Sequence, residues 1–160
     1  AAHFEGHIEV NGNLMMRNGG DVILGDCAEE FQVSHTSMSA EPGSVMVLDE
    51  AGAVRPCSEA YDKRAVGVVS GAGPFRPAIV LDRVESATDR APIALMGRVC
   101  CLVDATFAPV EAGDLLTSSP TIGHAMKARD PVSAYGTVIG KALQPLTAGR
   151  GLIPMLVALQ

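Results

Sequence analysis

Short apolar segments separated by turn residues dominate the N-terminal part of the chain. Between Phe4 and Leu24 the apolar positions fall in four-residue groups, broken by Asn11-Gly12-Asn13 and Asn18-Gly19-Gly20. Asn-Gly and Gly-Gly between such groups are typical of tight hairpin corners. Strands this short cannot bury an apolar face alone. We therefore predict that residues 1–24 are a shaft-like segment, in which three chains each supply one wall of a triple β-helix or β-prism.

The remaining residues, 25–160, are also rich in strand patterns, and these patterns recur. A Glu-x-Gly turn precedes an apolar strand twice, at Glu41–Gly43 and at Glu111–Gly113. Three further pairs of segments follow in the same order: Gly52–Arg55 with Gly123–Lys127, Ala65–Val69 with Val138–Ala142, and Arg76–Leu81 with Ile153–Leu159. We interpret this recurrence as the duplication of one β-unit.

The fold class predicted from these patterns is mostly β. The longest strand candidate, Pro92–Asp104, lies between the two halves and is predicted to be the central strand. Helix signals are limited to single turns at Ser58–Asp62 and Asp130–Tyr135. The polar segment Asp82–Ala91 is predicted to be a mobile loop. Residues 25–160 would thus form a compact β-rich domain behind the shaft.

Composition narrows the possible partners. The 160 residues are 48% hydrophobic, with 17 Gly and 10 Pro, which suits many short strands with a buried core. The formal net charge is −6 and no dense Lys/Arg cluster occurs, which argues against a nucleic-acid partner. The chain has neither an apolar run of roughly 18 residues nor a signal-peptide pattern, so we expect no membrane insertion and no signal peptide.

The cysteine and histidine pattern does not predict a metal site or a cofactor. The four cysteines have no CxxC spacing and no histidine at ligand spacing; they are Cys27, Cys57, Cys100 and Cys101. We interpret them as small hydrophobic residues in a reducing compartment. Cys100 and Cys101 are adjacent in a strand, so they should point to opposite faces.

The histidines are not predicted to be catalytic. His35 and His124 have no recognisable orienting acid and are interpreted as surface or interface residues. His3 and His7 would lie about 13 Å apart along a strand, too far for chelation within one chain. The loop Gly71–Pro74 lacks the Lys and Ser/Thr of a phosphate-binding loop.

An acidic junction separates the shaft-like segment from the body. It places three carboxylates within five positions, in the sequence Gly25-Asp26-Cys27-Ala28-Glu29-Glu30-Phe31. A solvated acidic turn would account for it. A chemical alternative is that Asp26, directly after the Gly25–Asp26 bond, reaches that bond's carbonyl or positions a water on it, while Glu29 donates a proton.

This junction, the Glu-x-Gly strand that follows it, Ala65–Ser70 and Leu95–Val99 together resemble a known family. The family comprises the C-terminal domains of phage tailspikes, neck appendages and tail fibres, which are autoproteolytic, peptidase G2-like intramolecular chaperones. The resemblance implies a homotrimer that registers the fibre and then cuts itself off before an Asp-Tyr-Ala-Glu motif. It implies that Asp26 and Glu29 are the catalytic residues and that Gly25–Asp26 is the scissile bond.

Two positions depart from the motif. Cys27 replaces the aromatic residue, and Gly25 stands where the family often has Ser. If that hydroxyl is the nucleophile, its absence favours an uncleaved fibre end over a self-processing domain.

Three hypotheses follow. The leading one is a non-enzymatic homotrimeric terminal domain that registers and caps the shaft of a phage-like fibre or tailspike. The second is an autoproteolytic chaperone that cuts at Gly25–Asp26. The third is a receptor-binding tip that recognises a host-surface protein or glycan through loops such as Asp82–Ala91. All three predict a virion, a phage-like particle or a cell-surface appendage as the location, after synthesis in the cytoplasm.

Overall fold

The computed structural model of the chain describes residues 26–34, 40–83 and 89–159. The predicted shaft strands and their three-chain packing lie outside the described residues, as do Gly25, His3, His7 and His35. Within the described ranges the chain is mostly β, as predicted.

Ten strands and one short helical turn make up the fold. They are β1 Asp26–Gln32, β2 Val45–Leu48, β3 Val54–Pro56, β4 Ala65–Val69, β5 Pro77–Leu81, β6 Arg90–Asp104, β7 Leu115–Ser118, β8 Ala125–Lys127, α1 Pro131–Ala134, β9 Val138–Ala142 and β10 Arg150–Val157. The turn predicted at Asp130 is α1, whose first N–H groups bond to the Asp130 carboxylate. The turn predicted at Ser58–Asp62 is not helical, because the N–H groups of Tyr61 and Asp62 bond to Ser118 instead.

The predicted central strand is confirmed. β6 is 15 residues long. Its first half pairs with β1 and β4, and its second half pairs with β8 and β10. It begins earlier than expected, so Arg90 and Ala91 belong to the strand and not to the predicted loop. Residues 84–88 of that loop lie outside the described residues.

Each half of β6 belongs to a small closed barrel. In the first barrel the strand order is β6, β4, β2, β3 and β1, with closure by a parallel bridge between Val33 and Val54. In the second barrel the order is β6, β8, β7, β9 and β10, and β10 returns to β6. Closure leaves no open edge in the second barrel.

The duplication is confirmed at the level of strand register. In the first barrel Met46 pairs with Gly67, and in the second Leu116 pairs with Gly140, with a register irregularity directly after Met46 and after Leu116. The closing contact of the first barrel also recurs, as the parallel pair Val103 and Ala125. Two different halves of the chain therefore build barrels with the same strand arrangement.

One predicted correspondence is wrong. Arg76–Leu81 is not the counterpart of Ile153–Leu159, because among the described strands β5 pairs only with β1. The counterpart of β10 is the first half of β6: Val68 pairs with Ala94 as Lys141 pairs with Leu156. The apolar, proline-containing pattern occurs in both β5 and β6, and therefore does not identify which of the two closes the barrel.

The largest buried cluster extends over both barrels. Val99, Cys101 and Val103 of β6 belong to it, whereas Cys100 packs on the opposite face against Gly73. This confirms the opposite orientation of the two adjacent cysteines. All four cysteines are free. Burial raises the pKa of the Cys57 thiol to about 11.

Candidate functional site

The acidic junction is a strand, so its interpretation as a solvated turn is wrong. β1 lies between β5, to which it is parallel, and β6, to which it is antiparallel. Asp26 is paired in register with Pro77, and Cys27 lies between Ile79 and Met96. The two predicted site residues, Asp26 and Glu29, are therefore held in a sheet.

Asp26 is a buried carboxylate without a hydrogen-bond partner among the described residues. The residue is 1% exposed, and both of its carboxylate oxygens are shielded from solvent. Burial of a polar group that makes no hydrogen bond costs roughly 2 kcal/mol or more. Such a cost is typical of a functional group or of one that finds its partner elsewhere in an assembly.

Glu29 lies on the same strand in a different environment. It is partly exposed, between Leu81 of β5 and Ile93 of β6. The structure does not join it to Asp26 by a hydrogen bond. Register irregularities on both sides of Cys27 interrupt the regular alternation of side chains between the two acids. β-Bulges of this kind often re-aim side chains beside functional sites.

Glu30, the third acid of the junction, is paired with arginines. Its carboxylate lies 3.4 Å from Arg83 Nε and 3.7 Å from Arg90 Nε. Arg90 also donates to the Glu30 carbonyl and, at 2.5 Å, to the Asp82 carboxylate. These cations offset the repulsion among the three acids. Sequence reasoning placed the arginines in a loop and missed this role, although opposite charges in the neighbouring segment were the available signal.

Asp104 is a second buried carboxylate, which sequence reasoning missed. Its oxygens accept hydrogen bonds from Thr121 Oγ1 at 2.7 Å, Arg150 Nε at 2.8 Å and the Thr106 N–H at 2.9 Å. Burial acts to raise the pKa of Asp104, but these bonds outweigh it and hold the pKa well below its usual value. Asp104 thereby ties the end of β6 to β10 and to the β7–β8 turn.

The same tie occurs in the first barrel with donor and acceptor exchanged. There Ser34, at the end of β1, donates from its hydroxyl to Asp49 in the β2–β3 turn. The contact is part of the duplicated architecture, which assigns Asp104 a structural role.

The other candidates do not assemble into a site. His124 Nδ1 lies 2.7 Å from the Ile122 carbonyl. The loop at Gly71 and Gly73 points carbonyls at the Arg76 guanidinium, the reverse of a phosphate cradle. Among residues 26–34, 40–83 and 89–159, no group of three or more His, Cys, Asp or Glu side chains could hold a metal ion. In the same ranges, no helix has the length and apolar character needed to cross a bilayer.

The fold is similar to that of bacteriophage phi29 proteins. No family model and no curated protein matches the chain. The crystal structure of the pre-mature bacteriophage phi29 gene product 12 matches with a TM-score of 0.62 at 16% identity, over 93% of this chain and 24% of that one. The C-terminal fragment of the same gene product matches with a TM-score of 0.53 at 17% identity, over 83% of this chain and 100% of the fragment.

These matches establish the fold. The chain spans about a quarter of the length of the pre-mature gene product 12, and the whole length of its C-terminal fragment. They agree with the resemblance to phage appendage proteins inferred from sequence. The more specific assignment to the peptidase G2-like family stays a prediction.

Proposed function

We propose that this chain is the C-terminal assembly domain of a phage-like fibre or tailspike, which forms a homotrimer and caps the shaft. The observation that carries the proposal is the match over the full length of a phage C-terminal fragment. A folded trimeric body would hold three shaft segments at high effective concentration, which lowers the entropic cost of starting the shaft.

The exposed apolar residues around β5 support an assembled state. Within the part of the chain that the structure describes, β5 pairs with β1 alone, and Ile79, Leu81 and the neighbouring Met96 are 39%, 48% and 63% exposed. An open apolar edge promotes association unless something covers it. This edge adjoins Asp26, where the chain enters from the predicted shaft, so three copies of it would meet the shaft in a trimer.

Light scattering coupled to size exclusion tests the proposal on the full chain at micromolar concentration. We expect a mass three times that of the 16.6 kDa chain. A monomer under these conditions would overturn the proposal.

Self-cleavage before Asp26 is a second candidate function, favoured by the buried Asp26 carboxylate, which makes no hydrogen bond to the described residues and lies beside the bulges of β1. In this case Asp26 would act on the Gly25–Asp26 bond, with Glu29 as the second acid. Incubation of the purified chain followed by mass spectrometry should then give a fragment that ends at Gly25. Asp26→Asn should abolish that fragment, whereas Glu111→Gln, an exposed acid far along the chain, should not. A trimer that stays intact would exclude this function and leave the capping role in place.

Receptor binding through the segment Asp82–Ala91 stays a prediction. Only its ends are described, and Asp82 and Arg90 are paired with each other there.

A further inference from the structure

The second barrel carries an uncovered copy of a surface that the first barrel uses inside the chain. We propose that the apolar pocket lined by Leu115, Ala134, Tyr135 and Val138 binds the β2–β3 turn of a second copy of this chain. Within one chain, a turn of the second barrel packs on the first barrel in the same way. The proposed contact would repeat this packing between two chains. It deepens the proposed assembly role and rests on it for the presence of several copies.

The occupied version of this contact lies between the two barrels. The β7–β8 turn of the second barrel sits on the first barrel, where the Val45 N–H donates to the Gly123 carbonyl at 2.8 Å. The Gly123 N–H donates in turn to the Cys57 carbonyl at 2.9 Å. The Tyr61 N–H donates to the Ser118 carbonyl at 3.2 Å. The turn is thus received by the start of β2, the end of β3 and the β3–β4 connection.

The duplication places equivalent residues around the pocket of the second barrel. Leu115 begins β7 as Val45 begins β2, and Tyr135 lies in the β8–β9 connection as Asp62 lies in the β3–β4 connection. Val45 is 0% exposed and Asp62 6% exposed, whereas Leu115 is 39% exposed and Tyr135 92% exposed. The receiving surface is therefore covered in the first barrel and open in the second.

The turn that would fill the open surface is itself uncovered. A Cβ at Gly123, in the β7–β8 turn, would lie 3.1 Å from the Ser44 hydroxyl and 3.8 Å from Pro56. A Cβ at Gly52, in the equivalent β2–β3 turn, would meet nothing within 4 Å. Ala51 beside it is also exposed. Each chain therefore contains one such contact between its own barrels. It also exposes a second turn and a second receiving surface, which could meet those of another copy.

The open surface is fixed in shape and is chemically suited to the turn. Asp130 caps α1, and Thr137 Oγ1 donates to the Ser133 carbonyl at 2.9 Å, which restrains the segment that presents Tyr135. Lys141 is exposed and pairs in register with Leu115, so a cation adjoins the pocket. The incoming turn carries the exposed acid Glu50, which gives opposite charges across the contact.

A contact between two different surfaces is heterologous, and heterologous contacts either close into a ring or extend as a filament. A trimer closed in this way would contain six barrels in one ring, with contacts alternating between those inside a chain and those between chains. The duplication would then supply half of the contacts of the ring before any copies meet.

The inference is tested by Tyr135→Asp, with Val132→Asp as the matched control. Val132 is 83% exposed on the same turn and does not line the pocket. An acid at position 135 would place a charge in the apolar pocket that the contact buries. We expect Tyr135→Asp to weaken association at least tenfold in concentration by analytical ultracentrifugation, and Val132→Asp to leave it within about twofold.

Disulfide cross-linking tests the same contact without weakening it. The pair Tyr61 and Ser118 of the occupied contact corresponds to Ala134 and Leu48, so a chain with both Leu48→Cys and Ala134→Cys should yield a covalent trimer on a non-reducing gel after mild oxidation. Either substitution alone should not, and these single variants also control for the native cysteines.

The outcomes separate the two proposals. A wild-type trimer that Tyr135→Asp leaves intact, with no cross-link in the double variant, would overturn this contact and leave the assembly role standing. A wild-type monomer would overturn both. Loss of the trimer in Tyr135→Asp together with the cross-link would support both.

Discussion

Asp26 and Asp104 are both buried carboxylates, but their surroundings differ. Asp104 accepts hydrogen bonds from Thr121, Arg150 and Thr106, and has an equivalent tie in the first barrel. Asp26 has no such partner among the described residues. The second half of β6 corresponds to β1 in the second barrel, and the position equivalent to Asp26 is occupied there by Met96, not by an acid. Asp104 therefore belongs to the architecture, and Asp26 is the acid that needs a functional explanation.

We predict that Asp104→Ala lowers the free energy of unfolding by about 2 kcal/mol at pH 7, because it leaves buried donors unpaired. Since the folded-state pKa lies below the usual value, the stabilisation is present above about pH 4 and is lost as pH falls toward the lowered pKa. The difference in the free energy of unfolding between wild type and variant should therefore be smaller at pH 2 than at pH 7. Urea unfolding at both pH values, at fixed protein concentration, measures it.

Glu59→Gln is the control for this experiment, since Glu59 is exposed and only 3.7 Å from Arg64 in a surface pair. Glu59→Gln should change the free energy of unfolding by less than about 0.5 kcal/mol. If Asp104→Ala lowered the free energy of unfolding by the same amount at both pH values, the ionised carboxylate would not be the stabilising group.

We predict that Gly140→Ala destabilises the fold by roughly 3 kcal/mol. A Cβ at this position would lie 2.2 Å from the Leu156 carbonyl oxygen of β10 and 2.3 Å from Met155 Cε, so the strands would have to separate. Gly149→Ala is the control: its Cβ would meet nothing within 4 Å, and only its positive φ of 71° would cost about 1 kcal/mol. Similar midpoints for both variants in urea would refute the close approach.

At the scale of the elements, the central strand was predictable and its connections were not. A long apolar run from Pro92 to Asp104 indicates a strand that is buried on several sides. Whether Val68 pairs with Ala94 or with a residue of β5 depends on contacts between distant segments, and both candidates carry the same apolar pattern around a proline. Local pattern fixes neither register nor strand order.

The capped turn α1 offers a prediction at this scale. Asp130→Ala removes the acceptor for the N–H groups of Val132 and Ser133 and should lower the melting temperature. Because α1 leads directly to Tyr135, the substitution should also weaken association. Asp130→Asn keeps the capping acceptor, so its thermal stability and its trimer should stay near those of wild type. Circular dichroism and analytical ultracentrifugation measure the two effects, and weaker association in Asp130→Asn alone would contradict this account.

At the scale of the whole molecule, the sequence located the acidic junction but not its environment. The positions of Asp26 and Glu29 relative to the Gly25–Asp26 bond can be read directly from the sequence. The burial of Asp26, the bulges around Cys27 and the pairing of Glu30 with Arg83 arise because β5 and β6 enclose β1. These features depend on strands that are distant in the sequence and that the fold brings together. The sequence of the junction alone therefore does not predict them.

Assembly through the second barrel has a consequence for the stability of the entire molecule. If copies associate only when folded, the unfolding midpoint must rise with protein concentration. We predict that a hundredfold increase in concentration raises the melting temperature of the wild-type chain by several degrees, and that Tyr135→Asp needs at least tenfold more protein to reach the same melting temperature. Val132→Asp should match the wild type. Differential scanning calorimetry across that range measures the shift, and a wild-type midpoint independent of concentration would mean that folding and association are not linked in this protein.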